Sequence, residues 1–372
     1  MDTQRYAALG LGRILDRVLE DERLSIEDGE RLFACPDVHA LGALAHHART
    51  RRHGGRTTWV LNRHVNYTNI CVNGCLFCAF HRRAGQEGAF ELTQAQVLDK
   101  LEHGGGAALD EIHIVGGCHP ALKLSFFEDL LRAVRARYPR PCIKAFTAVE
   151  IAHFARLEGI STHETLSRLK AAGLDMLPGG GAEIFAPRVR QRICPEKIDA
   201  EEWLRIAGEA HGLGISSNAT MLYGHIESTR DRVEHLDALR RQQDRSGGFL
   251  CFIPLPFLTA NSQLQLPPER MGAQNGLDIL RTMAVSRLLL DNIPHLKAYW
   301  VMLTVKLAQA ALHFGADDLD GTVVEENIGH MAGAASEQAL TSTELEHMIR
   351  RCGFEPLRRD GLFRPLRAGE AT

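Results

Sequence analysis

The chain has 372 residues, 45% hydrophobic and 24% charged, a composition that supports a large buried core and excludes wholesale disorder. Lysine and arginine number 43 against 46 aspartates and glutamates, a net charge of −3, so no net positive field exists for nucleic acid or an anionic membrane, and the expected partner is a small molecule. No apolar run reaches membrane-spanning length, and residues 1–13 lack a basic segment followed by an apolar one, so a soluble cytoplasmic protein is expected.

In chain order, Tyr6, Leu9, Ile14, Leu15, Val18 and Leu19 share one helical face, which predicts an N-terminal helical extension over 1–60. Helix starts are marked where Ser, Thr or Asp precedes an acidic residue or Gln by three, at Ser25, Thr93, Ser125, Ser161, Asp199, Ser228 and Thr341. Between them lie β-rich runs at 64–69, 111–115, 142–147, 174–177, 215–222, 249–255, 295–301 and, more weakly, 321–324. Strands alternating with helices, most of them continuous apolar runs, predict an α/β fold with a parallel sheet closed into a TIM-type (β/α)8 barrel over 61–325. Without the eighth strand the barrel stays incompletely closed. Residues 326–372 read as a C-terminal helical segment packed on the barrel, and 259–268 as a long loop of the kind that covers a binding site.

Nine cysteines, an odd count, argue against a disulfide framework. Cys35, Cys118, Cys142, Cys194, Cys251 and Cys352 are isolated and read as small buried hydrophobes. Cys71, Cys75 and Cys78 form C-x3-C-x2-C on the loop leaving the first barrel strand, at the mouth where strand C-termini gather. Three thiolates within eight residues can hold one soft inorganic centre, and three ligands leave one iron of a 4Fe–4S cube open. A zinc knot completed by His81 is the alternative, disfavoured because such knots belong to small metal-dependent folds.

Gly116 and Gly117 end the second predicted strand, where missing side chains allow either a close ligand approach or a tight turn. Pro178-Gly179-Gly180-Gly181-Ala182-Glu183 ends the fourth, exposing peptide N–H groups as an anion nest, with Glu183 able to accept from ribose hydroxyls or an ammonium. Glu150, His225 and Glu227 follow strands and can reach the mouth, although a helix-start carboxylate explains Glu150 or Glu227 equally well. Lys144 lies inside a strand, where a lumen position facing a carboxylate is expected. The basic runs containing Arg49 and Arg240 read as solvated surface.

Phe77 directly before the third cysteine of the triplet resembles the radical S-adenosylmethionine superfamily, and from about 62 to 321 the chain resembles its aminofutalosine synthase family. The blocks that carry this include Asn66-Tyr-Thr-Asn-Ile-Cys-Val-Asn, Glu111-Ile-His-Ile-Val-Gly-Gly, Lys144-Ala-Phe-Thr-Ala-Val-Glu-Ile, the Pro178 run, and Asn292-Ile-Pro-His-Leu-Lys-Ala-Tyr-Trp. The resemblance implies that Cys71, Cys75 and Cys78 ligate a 4Fe–4S cluster and that Phe77, Gly116, Gly117, Glu150 and Glu183 line the site of S-adenosylmethionine, a co-substrate. Lys144 and His225 become the candidates for gripping the acceptor and handling its leaving carboxyl.

The implied reaction adds the 5′-deoxyadenosyl radical to 3-[(1-carboxyvinyl)oxy]benzoate, an aryl enolpyruvyl ether, with rearrangement and decarboxylation to 6-amino-6-deoxyfutalosine in menaquinone biosynthesis. An electron donor such as flavodoxin or ferredoxin is implied as a partner. The sister family, cyclic dehypoxanthine futalosine synthase, shares the triplet and the glycine run and abstracts hydrogen instead. Three residues depart from the family pattern. Gly74 and Leu76 stand where basic residues are frequent, and Thr304 stands where glycine is expected.

Overall fold

In the computed structural model, which describes residues 1–102 and 109–366, helices Thr3–Ala8, Gly12–Glu20, Ile26–Ala34 and Val38–His53 lead into β1 (Arg56–Val60) and β2 (Asn62–Asn66). Strand β2 opens a seven-stranded parallel sheet that continues in order through β3 (Glu111–Val115), β4 (Cys142–Ala145), β5 (Met176–Leu177), β6 (Ser216–Tyr223), β7 (Phe249–Pro256) and β8 (His295–Leu296). Helices intervene between successive strands from β2 to β8, as the alternating pattern requires. Strand β1 instead pairs with β9 (Asp318–Gly321) and β10 (Glu355–Arg358) in a separate parallel sheet ordered β10-β1-β9.

The strand period of two decides which side chains enter the lumen. Arg63 turns outward, donating to the Lys100 and Leu101 carbonyls, so Asn62, His64 and Asn66 face inward. Their partners in register are Glu111, His113 and Val115, and His113 in turn pairs with Lys144 and Lys144 with Met176.

The predicted eighth strand is corrected. Residues 321–324 form no strand of the barrel sheet, and among the described residues the gap between β8 and β2 holds the isolated bridges Lys297 to Asp318 and Arg63 to Val324 in place of a ladder. Asp320, Val323 and Glu325 have φ of 68°, 48° and 64°, which interrupts the extended repeat that a ladder needs. Thr322 and Val323 bond to Asn62 instead. The result is a seven-stranded partial barrel.

Its N-terminal end is filled by charges in pairs. Lys144 donates to Glu111 at 2.7 Å, Lys297 to Asp320 at 2.7 Å and Arg359 to Asp318 at 2.6 Å. All six side chains are buried, which is tolerable because each cation has its carboxylate.

Two short strands lie outside the predicted runs. β1 falls within the segment read as a helical extension, and β10 makes the C-terminal segment more than helical. β10 contains Pro356 and sits at a sheet edge, where a missing N–H is tolerated. The expected helix starts hold at Ser25, Thr93, Ser161, Asp199, Ser228 and Thr341. Ser125 is the exception: the cap position falls two residues earlier, at Lys123, and the Leu124 amide of helix Leu124–Arg137 is capped by Glu158 of a neighbouring helix.

Arg49 and Arg240 are buried rather than solvated. Arg49 donates to the Gly54, Arg56 and Ala316 carbonyls, and Arg240 to Leu24 O and Asp237. No helix among the described residues is long and apolar enough to cross a membrane.

Candidate functional site

The loop that leaves β2 carries Cys71, Cys75 and Cys78 and is held from several sides. Cys71 N–H donates to Arg82 O at 3.0 Å, Val72 N–H to Cys118 O at 3.0 Å, and Leu76 N–H to Ile193 O at 2.9 Å. Leu76 O accepts from the Gln263 and Leu264 amides and the Ser262 hydroxyl, so the 259–268 loop lies against the cysteine loop. At Gly74, one of the departures from the family pattern, the amide bonds to Glu196, which also faces Arg83 at 3.7 Å. Beside Cys78 opens a 780 Å³ cavity, bordered by His81, Arg82, Glu87, Gln263 and Met331 among others.

Cys118, read from sequence as an inert hydrophobe, touches the site. Its amide donates to Cys71 Sγ at 3.3 Å, and its side chain and amide together hold the Cys71 thiol down at about 6. The Cys71 thiolate is thus favoured before any metal arrives. Burial pushes the Cys75 thiol up to about 12, so its proton leaves in exchange for a metal.

Among the described residues, the groups set closely enough for a single ion are His53, His295 and Asp317, and His64, Glu111 and His113. The three cysteines are not one of them. Their wider spacing suits a multi-iron centre better than the zinc knot with His81, whose Nδ1 lies 2.8 Å from Cys78 O and braces the loop.

Gly116 and Gly117 let β3 end directly under this loop. A Cβ on Gly117 would lie 2.3 Å from Ile70 O, and one on Gly116 2.7 Å from the Tyr67 ring. Glu150 stands behind them. Its Oε1 accepts from Tyr67 at 2.8 Å and from Gly116 N–H at 3.1 Å, and its Oε2 accepts from Thr147 N–H at 2.7 Å. Burial pushes its carboxyl up to about 7. Glu150 is 2% exposed and both its oxygens are engaged, so in this structure it braces the Gly116 peptide.

The glycine run adopts the backbone that only glycine takes freely. Gly179 has φ +86°, and a Cβ there would lie 2.3 Å from Asn218 O. Glu183 bonds to Lys197, whose Nζ is 5.0 Å from the Phe77 ring centroid. Burial opposes the Lys197 charge, but Cys75, Glu183 and Cys194 hold the ammonium well above its ordinary value. Lys197 has no motif of its own and comes to Phe77 and Glu183 only through the fold.

Two further candidates bond within the protein. His225 is unexposed, with Nε2 donating to Leu222 O at 3.0 Å and Nδ1 accepting Ile226 N–H at 2.8 Å, so it holds the turn after β6 and presents nothing to the mouth. Glu227 accepts from the Gly224 and His225 amides and from Arg232 in the same turn. Lys144 does meet a carboxylate in the lumen, but that carboxylate is the protein's own Glu111.

Residues 65–239 match the Radical SAM superfamily and 246–371 the CofH/MqnC C-terminal region. The chain is 47% identical over 354 residues to the aminodeoxyfutalosine synthase of Thermus thermophilus, covering 95% of each chain. With that of Streptomyces coelicolor it shares 42% over 372 residues, 97% of this chain and 95% of the relative. An archaeal relative from Methanoculleus marisnigri, 41% identical over 92% of this chain and 94% of its own, bears another name, 5-amino-6-(D-ribitylamino)uracil--L-tyrosine 4-hydroxyphenyl transferase.

Methylornithine synthase (PylB) superposes with a TM-score of 0.74 at 15% identity, covering 92% of this chain and 97% of its own, which shows a shared fold. The chain belongs to the aminodeoxyfutalosine synthase family of radical S-adenosylmethionine enzymes, which work with a 4Fe–4S cluster and S-adenosylmethionine.

Proposed function

We propose that this protein joins the 5′-deoxyadenosyl group of S-adenosylmethionine to 3-[(1-carboxyvinyl)oxy]benzoate, releasing methionine and carbon dioxide and forming 6-amino-6-deoxyfutalosine for menaquinone biosynthesis. The observation that carries this reading is 47% identity to the Thermus thermophilus aminodeoxyfutalosine synthase over 95% of both chains.

Cys71, Cys75 and Cys78 would hold the cluster, which when bound would supply the electron that opens the sulfonium C–S bond. The chain's own residues bind and orient. Cys118 N–H donates to the Cys71 sulfur, Phe77, Gly116, Gly117 and Glu183 border the S-adenosylmethionine site, and Glu150 fixes the Gly116 peptide from behind. Lys197 keeps the Glu183 carboxylate in place beside Phe77. The charged floor closes the lumen beneath the reacting groups and keeps bulk water from them. The electron comes from a donor such as flavodoxin or ferredoxin, and the nine free thiols fit the reducing cytoplasm.

A second reading, transfer of a 4-hydroxyphenyl group from tyrosine to a ribitylaminouracil, is favoured by the name of the archaeal relatives. Mass spectrometry of an anaerobic reaction of the reconstituted protein with reductant, S-adenosylmethionine and either acceptor set separates the two. A product containing adenosyl plus the aryl ether minus carbon dioxide is the expected result. Free 5′-deoxyadenosine with the aryl ether returned intact overturns the proposal and points to hydrogen abstraction. An arylated uracil supports the second reading.

A further inference from the structure

His64 of β2 and His113 of β3 stand in register with ring centroids 4.3 Å apart. Lys144 and Met176 continue the same layer on β4 and β5. His64 Nε2 and both nitrogens of His113 are buried with no hydrogen-bond partner, and His64 is only 7% exposed. An unpaired buried polar group is costly, so three in one layer mark a place where a ligand completes the bonding.

The neighbouring layers indicate how that ligand lies. Beneath, Glu111 is already satisfied by Lys144 at 2.7 Å and Asn62 at 3.3 Å. Above, β2 runs on through Asn66 into the loop of Cys71, Cys75 and Cys78. The imidazole pair therefore sits at the inner end of a lumen whose outer end carries the cluster loop.

Burial disfavours the charged form of both rings, so each offers one N–H, with the Lys144 ammonium held below them on Glu111. Two N–H donors match the two oxygens of a carboxylate. A metal ion is the competing occupant, since His64, Glu111 and His113 could ligate one. The Lys144 ammonium on Glu111 opposes a second cation there.

We propose that His64 and His113 bind the aryl carboxylate of the acceptor, ring end inward, leaving its vinyl carbon toward the cluster loop. This rests on the acceptor proposed above. Radical addition needs the vinyl carbon near S-adenosylmethionine, so the carboxylate at the opposite end of the molecule goes to the inner layer.

The test titrates the reconstituted holoenzyme, by equilibrium dialysis, with 3-[(1-carboxyvinyl)oxy]benzoate and with its aryl carboxamide analogue. The wild type is expected to prefer the carboxylate by about tenfold or more, and His64→Leu and His113→Leu to bring that preference within about twofold. Cluster absorbance is expected to stay intact in both. His113→Asn, which keeps a donor, is expected to fall between, and it decides the matter if a leucine variant fails to fold by its melting curve.

Full carboxylate preference in the variants overturns the assignment. One metal ion per chain beyond the cluster, lost in the variants, overturns it in favour of a metal centre. A wild type that binds neither compound instead overturns the proposed acceptor, and the carboxylate assignment with it.

Discussion

Glu150 accepts the Gly116 amide at 3.1 Å, tying the first turn of helix Ala148–Glu158 to the end of β3. The link carries a pH signature. The folded carboxyl lies at about 7 against an ordinary 4.5, so the native state keeps a proton that the unfolded chain gives up. The stability this group contributes is full below 4.5 and is lost as pH rises through 7. Between pH 5 and 8 the loss amounts to roughly 2 kcal/mol. Glu150→Gln cannot titrate, so urea midpoints at the two pH values should converge relative to wild type. An unchanged difference refutes the assignment.

Gly117→Ala puts a methyl 2.3 Å from the Ile70 carbonyl, a backbone atom that moves only with the cysteine loop. Iron content per chain after reconstitution should fall severalfold while the melting curve of the barrel persists. Full iron loading in this variant would show that the close approach is dispensable.

Cys71→Ala, Cys75→Ala and Cys78→Ala should each remove the visible cluster absorbance and all S-adenosylmethionine cleavage, because each takes away one of three thiolates. Cys118→Ala is different. It leaves the amide that donates to Cys71 and should retain the cluster. A Cys118→Ala protein without iron would make Cys118 a ligand rather than a neighbour.

Arg359→Leu leaves Asp318 buried beside Lys297 at 3.6 Å with its 2.6 Å partner gone. Removing one member of a buried pair costs about 3–5 kcal/mol, and adding Asp318→Asn should recover part of it. Denaturant midpoints of the three proteins measure this. A single-variant loss below about 1 kcal/mol, the scale of a surface pair, would mean that the floor is hydrated.

Thr304, where the family pattern calls for glycine, has φ 70° and ψ 154°, a region that β-branched residues occupy only under strain. Thr304→Gly should therefore stabilise the protein, by about 1 kcal/mol. A lowered melting temperature would mean that the threonine side chain contributes more than the strain costs.

The cysteine triplet was legible in the sequence because its members lie within eight residues, and local spacing survives any arrangement of the rest. The glycine runs were legible too, since Gly117 and Gly179 answer to backbone close approaches that no other residue permits. β3 falls on its predicted bounds because its apolar run is bounded at both ends. Roles of single polar residues at strand ends are less legible. His225 and Glu150 occupy the predicted places along the chain, but their atoms are spent on Leu222, Ile226, Thr147 and Gly116.

Composition and local pattern thus determined the parallel α/β core and the cysteine loop. Tertiary structure alone decided which charges meet: Lys144 with Glu111, Lys197 with Glu183, Arg359 with Asp318. It also decided that β9 pairs with β1 and leaves the barrel sheet at seven strands. The physical reason is range. A turn, a cap or a metal loop is specified by neighbours in sequence, whereas a buried ion pair or a strand partner depends on which distant segments the fold sets side by side. The unpaired nitrogens of His64 and His113 arise in the same way, from two neighbouring strands brought into register beside the lumen.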